Sequence, residues 1–160
     1  MLDLTDRALR EGLTAALAVP RWVEDVASQA PFDDLEVLLA VARAEATPLA
    51  PDEIAQAIAH HPRIGEKPKG EGAAQDFSRK EQGDEGDPKT NAGIARGNEA
   101  YEHRFGRIFI IRAAGRSRAE ILDELERRLN LPPDEELTVV GEQLRDIALL
   151  RLEKLYSEEA

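Results

Sequence analysis

The residues best suited to chemistry in this sequence lie on both sides of one long polar segment. His60 and His61 end a helical pattern, and Ser-x-x-Glu-Gln follows at residues 78–82. An imidazole accepts and returns a proton near neutral pH, and a carboxylate beside it can fix its orientation. This combination predicts general acid–base chemistry. The structural alternative is a histidine pair at a helix end, followed by a Ser-x-x-Glu capping box.

Helical angle separates the two histidines. At about 100° per residue, His61 lies on the apolar face of its helix with Ile54 and Ile58, whereas His60 points well away from that face. An imidazole on an apolar face lies towards the interior or towards a pocket. His61 is therefore the candidate for proton transfer, and its structural alternative is a buried histidine bonded to a carbonyl. His60 is predicted to be a solvated helix-end residue.

The second motif lies after a polar segment at residues 63–90, which contains five glycines. A loop of this length in a compact domain is either functional or disordered, and the motif that follows it favours function. Ser78, Glu81 and Gln82 are spaced i, i+3 and i+4, so on a short helix all three side chains point in one direction. A capping box explains Ser78 and Glu81, but it does not require Gln82 on the same side.

Two more polar residues lie among apolar ones. Arg151 lies within a stripe of the last helix that comprises Leu137, Val140, Leu144, Ile147, Ala148 and Leu155. Because arginine keeps its charge, burial there requires an anionic partner or a bound ligand, unless the side chain snorkels to the surface. Asn98 falls among Ile94, Tyr101 and Phe105, and is predicted to be a buried amide bonded to the backbone. Together these side chains predict a small polar pocket in an apolar shell.

Prolines and capping residues divide the chain into helices. The predicted helix starts are Pro20, Asp33 or Asp34 as a cap, Pro51, Thr90, Ser117 and Pro133, and the predicted ends include His61, Gly106 and Asn130. The segment RIFIIRAAG at residues 107–115 has the β-branched composition of a short strand. Because no second strand is available to pair with it, we predict an extended buried connection. The chain is therefore predicted to be one all-α domain over residues 1–160.

Charge and composition exclude several classes of function. The 160 residues include 21 Lys and Arg against 32 Asp and Glu, for a formal net charge of −11. Nucleic acids and anionic membranes need a basic footprint, so neither is expected as a partner. With no cysteine there is no disulfide, thiolate metal site or cysteine nucleophile. No apolar run approaches the roughly 18 residues of a transmembrane helix, and the N-terminal sequence is unlike a signal peptide, so a cytoplasmic protein is expected.

A metal site and a serine hydrolase both fit the pattern poorly. The chain has three histidines, and His60 and His61 diverge on their helix, so a three-histidine metal site has poor geometry. Ser78 lacks the strand–turn–helix context of a nucleophile elbow. We therefore expect no metal.

Several segments resemble the 2-oxo-4-hydroxy-4-carboxy-5-ureidoimidazoline (OHCU) decarboxylases of urate breakdown. The main ones are HHPRIG at residues 60–65, SRKEQ at 78–82, RGNEAYEHRFGRIFIIRAAGRS at 96–117 and IALLRLEKL at 147–155. The resemblance runs over nearly the whole chain and includes PRWVEDVA near the N-terminus. It implies an all-α and commonly dimeric enzyme that needs no metal or organic cofactor and yields (S)-allantoin.

The resemblance also implies functional residues, position by position. His61 would be the catalytic histidine, with Glu81 beside it, Pro62 shaping the pocket and Arg151 as the C-terminal arginine. The substrate-binding stretches would be Ser78, Arg79, Lys80, Glu81 and Gln82, and then Phe109, Ile110, Ile111, Arg112 and Ala113. The second stretch would contribute largely backbone groups, and the Arg112 side chain is assigned no chemistry. Helical angle had already singled out His61, Glu81, Gln82 and Arg151.

Two other functions remain open at this stage. The chain could be a non-catalytic helical interaction module whose acidic surface binds a basic partner, with His61 merely structural. It could also be another small-ring lyase or hydrolase on the same scaffold. A circular dichroism assay for one allantoin enantiomer distinguishes the decarboxylase from both alternatives.

Overall fold

Local capping signals set the starts of the N-terminal helices. The computed structural model describes residues 4–61 and 87–157, and within them it contains seven α-helices and no strand. Helix α1 spans Asp6–Ala16, α2 spans Pro20–Ala27, α3 spans Leu35–Glu45 and α4 spans Pro51–Ile58. Asp34 caps α3 by accepting a 3.0 Å hydrogen bond from the Val37 amide. Pro20 and Pro51 occupy the first positions of their helices, where no amide donor is needed.

The later helices follow the same rules. Helix α5 spans Pro88–Phe105, α6 spans Arg118–Arg128 and α7 spans Pro133–Tyr156. Asp87 caps α5, and Gly106 ends it in the left-handed conformation with φ of 72°. The predicted capping box at the start of α6 is present, since Ser117 and Glu120 each bond to the other's backbone amide. No helix in the two described ranges is long and apolar enough to cross a membrane.

The described chain divides into two compact units. The first comprises residues up to 57 together with those from 141 onward, and the second comprises residues 58–140. In the first unit α2 packs against both α1 and α3. Trp22 is fully buried there, and its indole Nε1 donates a 2.9 Å hydrogen bond to the carbonyl of Ala42. That bond satisfies the only polar atom of the side chain, so the indole ring joins α2 to α3 without an unpaired donor.

A partly buried ion pair also ties the first unit together. Arg21 on α2 contacts the carboxylate of Glu53 through Nε at 2.7 Å and Nη2 at 3.0 Å. The Glu53 carboxylate also accepts a 2.9 Å hydrogen bond from the Ala50 amide, just before the start of α4. The hydrogen bond from Arg21 holds the pKa of Glu53 below its ordinary value, although burial opposes that shift.

The second unit has its own apolar core. Helix α5 packs against α6, and the core side chains are Ile94, Tyr101, Phe109, Ile111, Ala113, Ile121 and Leu125. The contact is close at Gly97, where an added Cβ would lie 2.5 Å from Leu125 Cδ2. A larger residue at position 97 would force the buried Leu125 side chain or the helix backbone to shift, so glycine here serves packing.

Most of the predicted helix starts are confirmed, and three boundaries differ. Helix α6 ends at Arg128, two residues before the predicted Asn130. Helix α5 begins at Pro88, two residues before the predicted Thr90, so the polar segment is shorter at its C-terminal end. Helix α4 ends at Ile58, three residues before the predicted His61. The His61 amide donates a 3.0 Å hydrogen bond to the carbonyl of Ile58, three residues earlier in the chain. A tight turn therefore replaces the last helical turn. The residue before a proline avoids helical geometry, which accounts for His61 lying outside the helix.

The extended buried connection predicted at residues 107–115 is confirmed for residues 108–113, whereas residues 114–115 form a turn and Gly115 is exposed. This segment is neither helix nor strand, and Phe109, Ile110 and Ile111 are each at most 3% exposed. The chain therefore crosses the core of the second unit as an extended connection. Because the described residues include no strand to pair with it, its backbone polar groups need other partners.

Candidate active site

The two histidines differ in their exposure as predicted. His60 is exposed in the turn after α4, whereas His61 is half-buried at its end. The face argument therefore gave the right order of burial, although His61 lies beyond the last helical residue.

Arg151 is buried in α7, as predicted from its apolar stripe. The residue is 3% exposed, and its neighbours Ala148 and Leu152 are at most 1% exposed. Its Nη1 donates to the carbonyls of Ala15 at 3.3 Å and Ala16 at 3.4 Å. These carbonyls belong to the last turn of α1, where the helix dipole places partial negative charge. The end of α1 therefore stabilises the buried cation.

The binding stretch predicted at residues 109–113 lies within the second unit. Phe109, Ile110, Ile111 and Ala113 are buried, and Arg112 is half-buried. Arg116 lies at the C-terminal end of the stretch and makes two hydrogen bonds back to it. Its amide donates a 3.1 Å hydrogen bond to the carbonyl of Ala113, and its Nε donates a 2.9 Å hydrogen bond to the carbonyl of Arg112. These two bonds fix the turn at the end of the stretch, and its role in binding substrate stays a prediction.

A buried charged network packs directly against this stretch. Arg128 on α6 and Glu136 on α7 both have 0% exposed surface. Arg128 Nε and Nη2 contact the two carboxylate oxygens of Glu136 at 2.8 and 2.5 Å. The remaining nitrogen, Nη1, donates 2.7 Å to the carbonyl of Ile110, and the guanidinium lies 4.5 Å from the centre of the Phe109 ring. The arginine therefore joins two helices to the extended connection.

Tyr101 on α5 completes the network, because its hydroxyl donates a hydrogen bond to the carboxylate of Glu136. Burial, followed by the hydrogen bond to this carboxylate, raises the pKa of Tyr101 above its ordinary value. The phenol therefore stays neutral and remains a donor over the physiological range. A cation, an anion and a neutral donor thus satisfy one another without solvent.

Neither Arg128 nor Glu136 was predicted from the sequence to be buried. Arg128 follows Ile121 and Leu125 at helical spacing, so the face test that identified Arg151 would have found it. Glu136 gave no such signal, because an acidic residue in the first turn of a helix is expected to be exposed. Asn98, by contrast, was predicted to be buried and is 6% exposed.

The predicted site residues fall into three groups in the structure. His61 and Phe109–Ala113 lie in the second unit, and Arg151 lies in the first. The remaining predicted site residues lie outside the described residues; they are Pro62, Ser78, Arg79, Lys80, Glu81 and Gln82.

Two solved structures share this all-α fold. One is described as OHCU decarboxylase in the presence of (S)-allantoin, with a TM-score of 0.75 and 24% identity, over 96% of this chain and 99% of that chain. The other is described as (S)-allantoin synthase, with a TM-score of 0.70 and 18% identity, over 96% of this chain and 51% of that chain. At these identities the likeness establishes the fold class.

Sequence comparison then gives the family. The OHCU decarboxylase family model matches residues 3–153, so the chain belongs to that family. A curated relative, the uric acid degradation bifunctional protein TTL of Arabidopsis thaliana, is 34% identical over 111 residues. That match covers 66% of this chain and 34% of the relative, so the chain spans about a third of the relative's length.

Proposed function

We propose that this protein decarboxylates OHCU to (S)-allantoin in the breakdown of urate. The observation that carries the proposal is the family match over residues 3–153. The relative from Arabidopsis, whose name places it in uric acid degradation, supports the same pathway. The half-buried His61 and the buried Arg151 supply the two kinds of side chain that this chemistry needs.

The reaction sets clear demands on the site. When the carbon–carbon bond to the carboxylate breaks, carbon dioxide leaves and its electron pair moves into the adjacent unsaturated ring. Donors aimed at the ring heteroatoms stabilise that charge, and exclusion of water strengthens them. The carbon that lost carbon dioxide must then receive a proton on one face. A site that delivers this proton from one direction yields a single enantiomer.

Four predicted side chains and one backbone stretch have roles in this scheme. His61 transfers the proton, because imidazole as a group changes charge near neutral pH. Glu81 orients the imidazole, and Gln82 donates to the ring. Arg151 supplies a cation for an anionic substrate in a protein whose net charge is −11. Backbone amides of residues 109–113 add further donors.

A cytoplasmic location and a homodimeric state are also proposals. The dimer is supported by the resemblance to a commonly dimeric family, and sedimentation velocity would measure it. Cell fractionation would test the location.

A coupled assay tests the activity. Urate is supplied with the two enzymes that convert it to OHCU, and circular dichroism follows the appearance of optically active allantoin. We expect rapid formation of one enantiomer with this protein and slow formation of racemate without it. Formation of racemate at the same rate with and without the protein would reject the proposal and favour the interaction module. The matched control is the His61→Asn variant at the same concentration.

A further inference from the structure

We infer that Arg128 is a positioning residue, which holds the Ile110–Ile111 peptide so that the Ile111 amide can bind substrate. The inference rests on the proposed function, because it takes residues 109–113 to line the substrate site. Arg128 has 0% exposed surface and therefore touches no substrate itself. It acts through the backbone that it contacts.

The contact fixes a peptide plane. Arg128 Nη1 donates 2.7 Å to the carbonyl of Ile110, and the guanidinium lies against the Phe109 ring with 4.5 Å to its centre. In a trans peptide the carbonyl and the following amide point in opposite directions. Because Arg128 holds the Ile110 carbonyl on one side, the Ile111 N–H must point to the other side.

The amide that is aimed in this way is available to a ligand. Among the described residues, no acceptor receives a hydrogen bond from the Ile111 N–H. Ile111 is only 3% exposed, and a buried amide that finds no acceptor among the described residues gains from an acceptor on a ligand. A substrate oxygen or ring heteroatom bound there would satisfy the amide. A donor that is already oriented before the reaction also stabilises developing negative charge without reorganisation.

The rest of the network prevents Arg128 from moving. Glu136 holds Nε at 2.8 Å and Nη2 at 2.5 Å, a two-point contact that fixes the plane of the guanidinium. Tyr101 bonds to one of the same carboxylate oxygens. Helices α5, α6 and α7 therefore all contribute to the orientation of one peptide. Stability alone does not require such a network, since apolar residues of similar volume often replace buried ion pairs without loss.

The test replaces the whole network by apolar residues. In the variant Tyr101→Phe/Arg128→Met/Glu136→Leu no charge is stranded, but the Ile110 carbonyl loses its donor. The control is Arg127→Met, because Arg127 lies beside Arg128 on α6, is exposed and pairs with Glu124 at the surface. The measurements are kcat and KM for OHCU generated in place, the melting temperature, and the amide proton shift and exchange rate of Ile111 by nuclear magnetic resonance.

We expect the triple variant to stay folded while its kcat/KM falls about 10- to 100-fold, with a rise in KM and a shifted, faster-exchanging Ile111 amide. A merely structural role would reduce the folded fraction, which lowers the apparent kcat and leaves KM unchanged. A triple variant with the same kcat and KM as Arg127→Met would overturn the inference. If the triple variant does not fold, Arg128→Lys, which keeps a charge beside Glu136 but loses the two-point contact, must show the same rise in KM.

The outcomes also separate this inference from the proposed function. A wild-type protein that forms no allantoin would reject the proposed function by itself. The chemical shift and exchange rate of the Ile111 amide proton would then show whether Arg128 orients the peptide. An unchanged amide signal in both Arg128 variants would overturn that role, and a shifted signal with faster exchange would support it.

Discussion

Arg151 Nη1 donates a 3.3 Å hydrogen bond to the carbonyl of Ala15, which joins α7 to the last turn of α1. A second bond of 3.4 Å reaches Ala16. The sequence predicted that a buried arginine needs an anionic partner or a ligand, and the carbonyl end of a helix supplies part of that negative charge. The side chain thus has a structural contact on one nitrogen, in addition to the proposed role in binding substrate.

Replacement of Arg151 by methionine separates the two roles. The apolar stem is largely kept, whereas the charge and the donors are lost. We expect the free energy of unfolding to fall by about 1–3 kcal/mol, the usual effect of losing charged hydrogen bonds. We expect kcat/KM to fall by about 10²-fold or more. Thermal unfolding without ligand and steady-state kinetics measure the two effects.

The matched control is Arg145→Met on the same helix. Arg145 pairs with Asp146 through a part-buried contact of 3.1 Å and belongs to no predicted site, so the change should leave turnover intact. A loss of roughly 3–5 kcal/mol on Arg151→Met would indicate a stranded buried carboxylate. Wild-type turnover in that variant would contradict the binding role.

The two histidines give the second prediction. His61→Asn should lower kcat by about 10²- to 10⁴-fold, because it removes the proposed proton-transfer group. His60→Asn should keep nearly full activity, since His60 is exposed beyond α4. Initial rates in the circular dichroism assay measure both variants. Equal losses in the two variants would show that the face argument does not identify the reactive histidine.

Glu81 supplies the third prediction. If Glu81 is only half of a capping box, Glu81→Gln should change neither stability nor turnover much, because glutamine also serves at that position. We expect turnover to collapse while the melting temperature barely moves, because the carboxylate orients His61 in the proposed mechanism. The rate is measured beside a melting curve of the same sample. Retained turnover would leave the capping box as the whole explanation.

The fourth prediction concerns acid stability. The pKa of Glu53 is lowered in the folded state, chiefly by its hydrogen bond with Arg21, from an ordinary value of 4.5. A lowered carboxyl pKa stabilises the fold above the unfolded pKa, and this contribution is lost as the pH falls from about 4.5 through the folded pKa. Glu53→Gln should therefore destabilise the protein at pH 7 by about 1–3 kcal/mol. The variant should also lose less stability than the wild type on acidification.

Chemical denaturation at pH 7 and about pH 3 measures this difference. Glu24→Gln is the control, because Glu24 pairs with Arg10 but its side chain is 63% exposed. An exposed pair contributes little, so that variant should track the wild type at pH 7. A Glu53→Gln variant with wild-type stability at both pH values would show that the pair with Arg21 does not stabilise the fold.

The sequence by itself determined where most helices begin. Asp34, Ser117 and the prolines that open α2, α4 and α7 act within one turn of chain, so their effect is readable without tertiary structure. Apolar periodicity likewise predicted that Arg151 is buried. Both kinds of signal depend only on residues a few positions apart.

Only the tertiary structure decided which groups the buried charges contact. Arg151 donates to carbonyls of α1 that lie more than a hundred residues away in the chain, and Arg128 donates to the carbonyl of Ile110. A backbone carbonyl is present at every residue, so neither residue type nor spacing marks which one is chosen. Glu136 is similar: its position in a first turn predicts exposure, and the packing of three helices around it decides that it is buried.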